Sequence, residues 1–242
     1  MSKVFVTGDI HGSLDIRKLN SKNFLEGRSL TKEDYVIICG DFGLVFWETP
    51  TPEEEYWLEW INNKKWTTLF IDGNHDNIKR IRNIYPTCKF LGAKCHQIKK
   101  SIYHIERGEI LTINNKKIWC MGGAVSIDKQ DRTENVDWWA EEKPSAFDRV
   151  IGLNNLNMNS WTVDYIITHS LPTDVVLKCF PEYKSDDFTD YLSTINEMTT
   201  FQKWYTGHYH IDSNIYDKKI YISLYNSILP LGEDFFTKKG DI

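Results

Sequence analysis

Five of the chain's seven histidines fall in short polar motifs. These are Gly8-Asp9-Ile10-His11-Gly12, Gly73-Asn74-His75-Asp76, His169-Ser170 and Gly207-His208-Tyr209-His210, and a fifth motif, Gly40-Asp41, adds a lone carboxylate. Each ends a short, strand-like run. Alone, Asp9 and His11 read as turn residues, since Gly and Asp make turns. Together the motifs supply two Asp, one Asn and several His, with no Cys. That inventory suits Mn, Fe, Zn or Ni, with Mn favoured, rather than Ca or a Cys-rich structural zinc. The ligands are too many for one ion and fit two. Two ions roughly 3.5–4 Å apart need a shared ligand, and a carboxylate can bridge them. Asp41, alone at the end of its run, is the natural bridge. Alternation along a strand puts residues i and i+2 on one side, so Asp9 with His11, and His208 with His210, are expected to converge from opposite ends of the chain.

The elements that must carry these motifs are readable in outline. Residues 3–8, 35–40 and 67–72 are apolar runs that predict strands. Residues 13–20 (capped by Ser13), 52–64 and 77–85 (capped by Asp76 or Asn77) predict helices between and after them. Pro52 opens the second, with three glutamates in its first turn. Strand and helix in alternation predict an α/β fold with a parallel sheet, whose sites collect at strand carboxyl ends. Residues 97–121 predict three short strands of a second, mainly antiparallel sheet, with turns at Arg107-Gly108 and Asn114-Asn115. Residues 122–145 form a long irregular stretch, and a loop of that length is usually functional. Helices are expected over 145–158 and 187–200, strands over 163–168 and 203–206, and hairpin strands over 211–230. No repeat, low-complexity tract or linker divides the chain, so one domain over residues 1–242 is expected.

Asp-x-His, Gly-Asp, Gly-Asn-His-Asp, a later lone His and Gly-His-x-His occur here in the order seen in the calcineurin-like metallophosphoesterases, and over residues 8–210 the chain resembles that superfamily. Gly122-Gly123-Ala124 followed by a long loop is similar to bacterial and phage members. The resemblance implies a four-layer αββα sandwich, two sheets flanked by helices. It implies that Asp9, His11 and His210 hold one ion, that Asn74, His169 and His208 hold the other, and that Asp41 bridges. His75 would ligate no metal and would face the substrate phosphate, stabilising the transition state or protonating the leaving oxygen. The chemistry follows on physical grounds. Two divalent ions acidify a bridging water, giving a hydroxide for in-line attack on a phosphoester, and a leaving alkoxide needs a proton that an imidazole can give.

Departures from the superfamily's branches narrow the substrate. The longer phosphatase motif Gly-Asp-x-x-Asp-Arg-Gly is absent: Gly40-Asp41 runs into Phe42-Gly43-Leu44-Val45-Phe46-Trp47. That argues against protein phosphatase and dinucleoside-tetraphosphatase readings and predicts an aromatic wall from Phe42, Phe46 and Trp47. A small phosphorylated or nucleotide-like substrate, and a phosphodiester before a monoester, is expected. Arg132 suits phosphate, and Trp138 and Trp139 suit stacking on bases; the alternative is a tryptophan pair that anchors the loop to the core. Asp76 is expected to cap a helix or orient His75, and His96 and His104 to be ordinary core or surface residues.

The net charge of −5 gives no basic surplus for long nucleic acid or an anionic membrane. No apolar run approaches the roughly 20 residues of a membrane span, and the first residues do not read as a signal peptide. Five cysteines without a C-x-x-C pair fit thiols in a cytoplasmic protein. Two other functions compete with hydrolysis of a small ester: an idle fold acting as a protein-binding scaffold, and a nuclease on RNA or DNA.

Overall fold

The computed structural model describes residues 1–180 and 182–236; the single domain expected over 1–242 runs on past them. Among the described residues there are thirteen strands and five α-helices in a mixed α/β arrangement. Strands β1 (Val4–Thr7), β2 (Tyr35–Cys39) and β3 (Thr67–Ile71) lie parallel at the centre of a seven-stranded sheet. That sheet continues through β4 (Thr87–Phe90), β5 (Ala93–Lys99), β6 (Ile102–Ile105) and β13 (Ile228–Pro230), in the order β13-β1-β2-β3-β6-β5-β4. The second sheet has the order β11-β12-β10-β9-β8-β7, built from β7 (Glu109–Ile113), β8 (Lys116–Met121), β9 (Tyr165–Thr168), β10 (Lys203–Thr206), β11 (Ser213–Tyr216) and β12 (Ile220–Ser223).

Three separate cores make this a sandwich of four layers. Alternate residues of one strand enter different cores, because successive side chains leave opposite faces. Val36 and Ile38 of β2 face outward onto Leu58 and Ile61 of α1 (Pro52–Asn62) and Ile78 and Ile81 of α2 (Ile78–Ile84). Ile37 and Cys39 face inward, where they meet Ile118, Ile167, Tyr205 and Ile222 of the second sheet. The other face of that sheet, with Trp119, Ile166 and Trp204, packs on α3 (Ala146–Met158), α4 (Thr173–Cys179) and α5 (Asp187–Met198). Strands buried on both faces read as unbroken apolar runs, as the inner strands do here. Among the described residues no helix is long and apolar enough to cross a membrane.

The second sheet is not mainly antiparallel. β8, β9, β10 and β12 run parallel, and only the edge hairpins β7–β8 and β11–β12 are antiparallel. Local hairpin pairing shows in a sequence, but the sheet a hairpin joins is decided by distant strands. Residues 93–121 hold four strands rather than three, and the chain changes sheets at Arg107-Gly108. In the tail, β11 and β12 form the expected hairpin, while β13 crosses to pair with β1. Residues 13–20 form only a 3₁₀ turn over Ile16–Leu19 instead of a helix. Asn20 closes it, accepting from the amides of Lys22 and Asn23. Helix α1 begins with a full capping box from Thr51 and Glu54, and α2 is capped by Asn77.

Candidate metal centre

β1, β2 and β3 of one sheet and β9 and β10 of the other end on the same side, and the polar motifs sit immediately beyond those ends. Strand alternation does not bring the ligands together. His11, Asp41, His208 and His210 all lie past the strands with φ of 41°, 50°, 71° and 51°. Left-handed backbone is costly for residues with a Cβ, on the order of 1–3 kcal/mol each, and clusters where function over-determines it. Backbone hydrogen bonds supply the constraint: the amides of Ile10 and His11 both donate to the Asp41 carbonyl at 3.0 Å.

Two glycines are required by close approach rather than by turn chemistry. A Cβ on Gly73 would stand 2.1 Å from Asp41 Oδ1, and one on Gly207 would stand 2.1 Å from Asp9 Oδ1. The carboxylates occupy the space that a side chain at either position would fill.

The two carboxylates organise the site. Asp41 turns Oδ2 to His11 Nε2 and Oδ1 to His169 Nε2, both at 3.2 Å. Asp9 Oδ2 lies 3.3 Å from His210 Nε2, and the amide of His208 donates to both Asp9 oxygens at 3.1 Å. Asn74 Oδ1 is 3.2 Å from His169 Nε2. The His169 and His208 rings are 4.9 Å apart, as are those of His11 and His210. His169 Nδ1 donates to the Cys39 carbonyl (2.7 Å) and His11 Nδ1 to Asp15 (2.7 Å). Each thereby presents Nε2 to Asp41, the orientation that second partners impose on metal-binding histidines. Three overlapping groups have donor atoms within 4.8 Å of one another: Asp9, His11 and His210; His11, Asp41 and His75; Asp9, Asp41 and His169.

The electrostatics favour positive charge here. Burial alone would raise the Asp9 carboxyl, but His210 and His169 outweigh it and hold it below the usual value. Asp41 is likewise held well below by His169 and His11 against its own burial. In return, His11 is raised to about 9 and His169 to about 10, against burial, chiefly by Asp41 and then Asp9. Burial and the neighbouring His169 push His208 down to about 3, so its imidazole is neutral, as a metal ligand must be. A buried, carboxylate-rich cup of imidazole and amide oxygen fits divalent cations of the Mn, Fe or Zn kind.

The family model for calcineurin-like phosphoesterases matches residues 2–212. The chain belongs to the calcineurin-like phosphoesterase family. Solved structures share the fold of this calcineurin-like phosphoesterase at low identity. The protein TT1561 of Thermus thermophilus aligns with a TM-score of 0.53 at 8% identity, over 93% of this chain and 90% of that one. The phosphopantetheinyl hydrolase of Mycobacterium tuberculosis aligns at 0.53 and 14%, over 97% of both chains. GAP50, the anchor in the inner membrane complex of Plasmodium, aligns at 0.53 and 12%, over 93% of this chain and 71% of that one. A search of curated proteins returned no match.

Beside the cup of this calcineurin-like phosphoesterase, His75 has its backbone amide on Asp41 Oδ1 (2.8 Å) and its ring 5.3 Å from that of His11. Its imidazole is lowered by burial, which outweighs Asp41, and further by the charges of His11 and Arg132. Arg132, from the 122–145 loop, brings Nη2 to 3.4 Å from His75 Nε2 and is held by Asp128 at 2.8 Å. A cleft of about 280 Å³ opens from His11 and His75 along Leu14, Phe46, Trp47 and Glu53.

None of the four substrate candidates lines that cleft, although Arg132 reaches its lining residue His75. Phe42 is fully buried and stacks on Phe70 at 4.1 Å: the left-handed turn at Asp41 sends the next side chain into the outer core. Trp139 is buried and meets Phe46 edge-on at 6.3 Å, so it backs the cleft wall without lining it. Trp138 is half-buried within its own loop, its carbonyl accepting from Asn135. Trp139 thus packs behind the cleft, and Arg132 is the loop residue that reaches His75. Asp76 does not cap α2. It accepts from the amides of Phe42, Gly43 and Gly73 at 2.8–3.0 Å, tying the loops after β2 and β3 together. Burial and the nearby Asp41 raise it to about 7. Asp15, Lys18 and Tyr225, which also brace the site, carry no motif and were not legible as part of it.

Proposed function

We propose that the chain is a metal-dependent hydrolase of phosphodiesters bearing a flat, aromatic, nucleotide-like group, with two divalent ions at the cup. The observation that carries the two-ion reading is the Asp41 carboxylate, whose two oxygens face histidines from two different sheets. Asp9, His11 and His210 would hold one ion; Asn74, His169 and His208 the other. Bound there, the ions would neutralise phosphate oxygens and acidify water. The chain's own residues do the rest. Arg132 offers paired donors to a phosphate oxygen beside His75. His75, whose imidazole burial lowers in the free protein, gains a proton more readily beside an anionic ester, and is positioned to stabilise the transition state or protonate the leaving oxygen.

The cleft favours one phosphate over several. Its lining holds Phe46, Trp47, Leu14 and Glu53 but no Lys or Arg, so an apolar ring is welcome and further phosphates are repelled. The test is a panel under Mn²⁺ of phosphomonoesters, cyclic and linear phosphodiesters, phosphopeptides and nucleoside triphosphates, with Asp41→Asn as control. Aryl and nucleoside diesters are expected to turn over fastest. Equal turnover by Asp41→Asn sinks the two-ion reading. A chain acting only as a scaffold would bind no metal tightly and cleave nothing in the panel.

A further inference from the structure

Asp9, His11 and His210 come from opposite ends of the chain, and the residues that join them lie outside every ligand motif. Lys18 is buried, and its ammonium group donates to three backbone carbonyls: those of Gly8 (2.9 Å), Asp9 (2.7 Å) and Tyr225. Three donors with three acceptors leave a buried ammonium group fully hydrogen-bonded. Two of those carbonyls belong to the turn that presents Asp9. The third belongs to the loop after β12, about 200 residues later in the sequence.

Tyr225 closes the circle. Its ring stacks on that of His210 (centroids 4.7 Å apart, planes at 22°). Its hydroxyl donates to Asp15 Oδ2 (3.3 Å), the same oxygen that takes His11 Nδ1 at 2.7 Å. Its backbone is fixed in turn by Asp212, which accepts from the amides of Tyr225, Asn226 and Ser227. One lysine, one tyrosine and one aspartate thus set the turn of Asp9, the ring of His210 and the tautomer of His11. His169 is held instead by the Cys39 carbonyl, and among the described residues no hydrogen bond or ring contact joins Asn74, His169 or His208 to these three side chains; His208 meets Asp9 through its backbone amide.

We propose that Lys18, Asp15 and Tyr225 form a clasp of positioning residues that sets the affinity of the Asp9–His11–His210 ion without altering that of the Asn74–His169–His208 ion. The proposal rests on the two-ion reading above. Outer partners of metal ligands are typically worth about 10–100-fold in affinity. A purely electrostatic role for Lys18 predicts the opposite sign: removing a nearby positive charge would tighten cation binding.

Calorimetric titration of the metal-stripped full chain with Mn²⁺, together with its melting temperature, tests this. Wild type is expected to take up two ions. Lys18→Met and Tyr225→Phe should weaken one of them, by ~10–100-fold and ~10-fold respectively, and leave the other within twofold. Tyr225→Phe keeps the ring and its stacking, so it remains informative should Lys18→Met fail to fold. The clasp is overturned if Tyr225→Phe leaves both ions unchanged, weakens both alike, or if Lys18→Met tightens binding. Wild type taking up no Mn²⁺ would overturn the proposed function itself, an outcome distinct from two ions in every variant.

Discussion

Two buried clusters of carboxylates and histidines lie side by side in this molecule, joined by the single peptide Asp72-Gly73, and they are built for different ends. In the cup, Asp9 and Asp41 face histidines and backbone amides, and among the described residues no guanidinium reaches them. In its neighbour, between the sheets and α3, every carboxylate has an arginine. Arg107 bonds Asp72 through two nitrogens (2.6 and 3.0 Å) and Asp148 at 3.3 Å; Arg82 bonds Glu106 at 2.6 Å and Asp148 at 2.7 Å. His104 and His96 complete it on Asp72 and Glu106. The second cluster pairs each of its carboxylates with a guanidinium. The first leaves its two carboxylates to imidazoles and backbone amides, where a bound cation would offset their charge. In this molecule the arginines mark the cluster that serves as a structural knot, and among the described residues the cup has none on its carboxylates.

That contrast predicts that substitutions in the cup cost chemistry and substitutions in the knot cost stability. His75→Ala should lose about 10²–10⁴-fold in turnover while keeping its metal and its melting temperature. Loss of metal in that variant would move His75 from the substrate to the ligand set. Arg107→Met should destabilise by about 3–5 kcal/mol in denaturant unfolding, since it leaves the buried Asp72 without its guanidinium partner, while the metal content of the folded fraction is unchanged. A stability within about 1 kcal/mol of wild type would mean that the knot does not hold the fold as its burial implies.

The smallest effect is one of pH. Arg107 and His104 hold Asp72 below the usual carboxylate value against its burial, and His96, His104 and Arg82 do the same for Glu106. Groups depressed in the fold contribute stability that is present above their unfolded values, 3.8 and 4.5, and is lost as pH falls below them. Stability measured downward from pH 5 should therefore drop steeply in wild type and less steeply in Asp72→Asn. Parallel curves would assign the acid sensitivity elsewhere.

The cup was largely legible in the sequence because its residues recur as short motifs at strand ends, and the order of those motifs carries the family. The route to convergence was not legible. Asp9 and His11 meet through a left-handed turn pinned by the Asp41 carbonyl, which period-2 reasoning about strands does not contain. The knot was invisible because His96, His104 and Arg107 sit in ordinary strands and turns, and only the pairing of β6 with β3 brings His104 to Asp72. Helix α4, only seven residues long and starting directly after Pro172, and edge strand β4 were too short to raise a periodic signal. Phe42 was misassigned to the cleft because sequence adjacency to Asp41 says nothing about which way a strained turn sends the next side chain.

The cup stands or falls on Asp41 joining two ions. The most direct test is the metal content of the purified chain after dialysis with Mn²⁺, wild type against Asp41→Asn, with the melting temperature of both metal-stripped proteins measured alongside. The prediction is two ions per wild-type chain and at most one in Asp41→Asn, with a cooperative melt in both metal-stripped proteins. Two ions retained in Asp41→Asn would contradict the bridge.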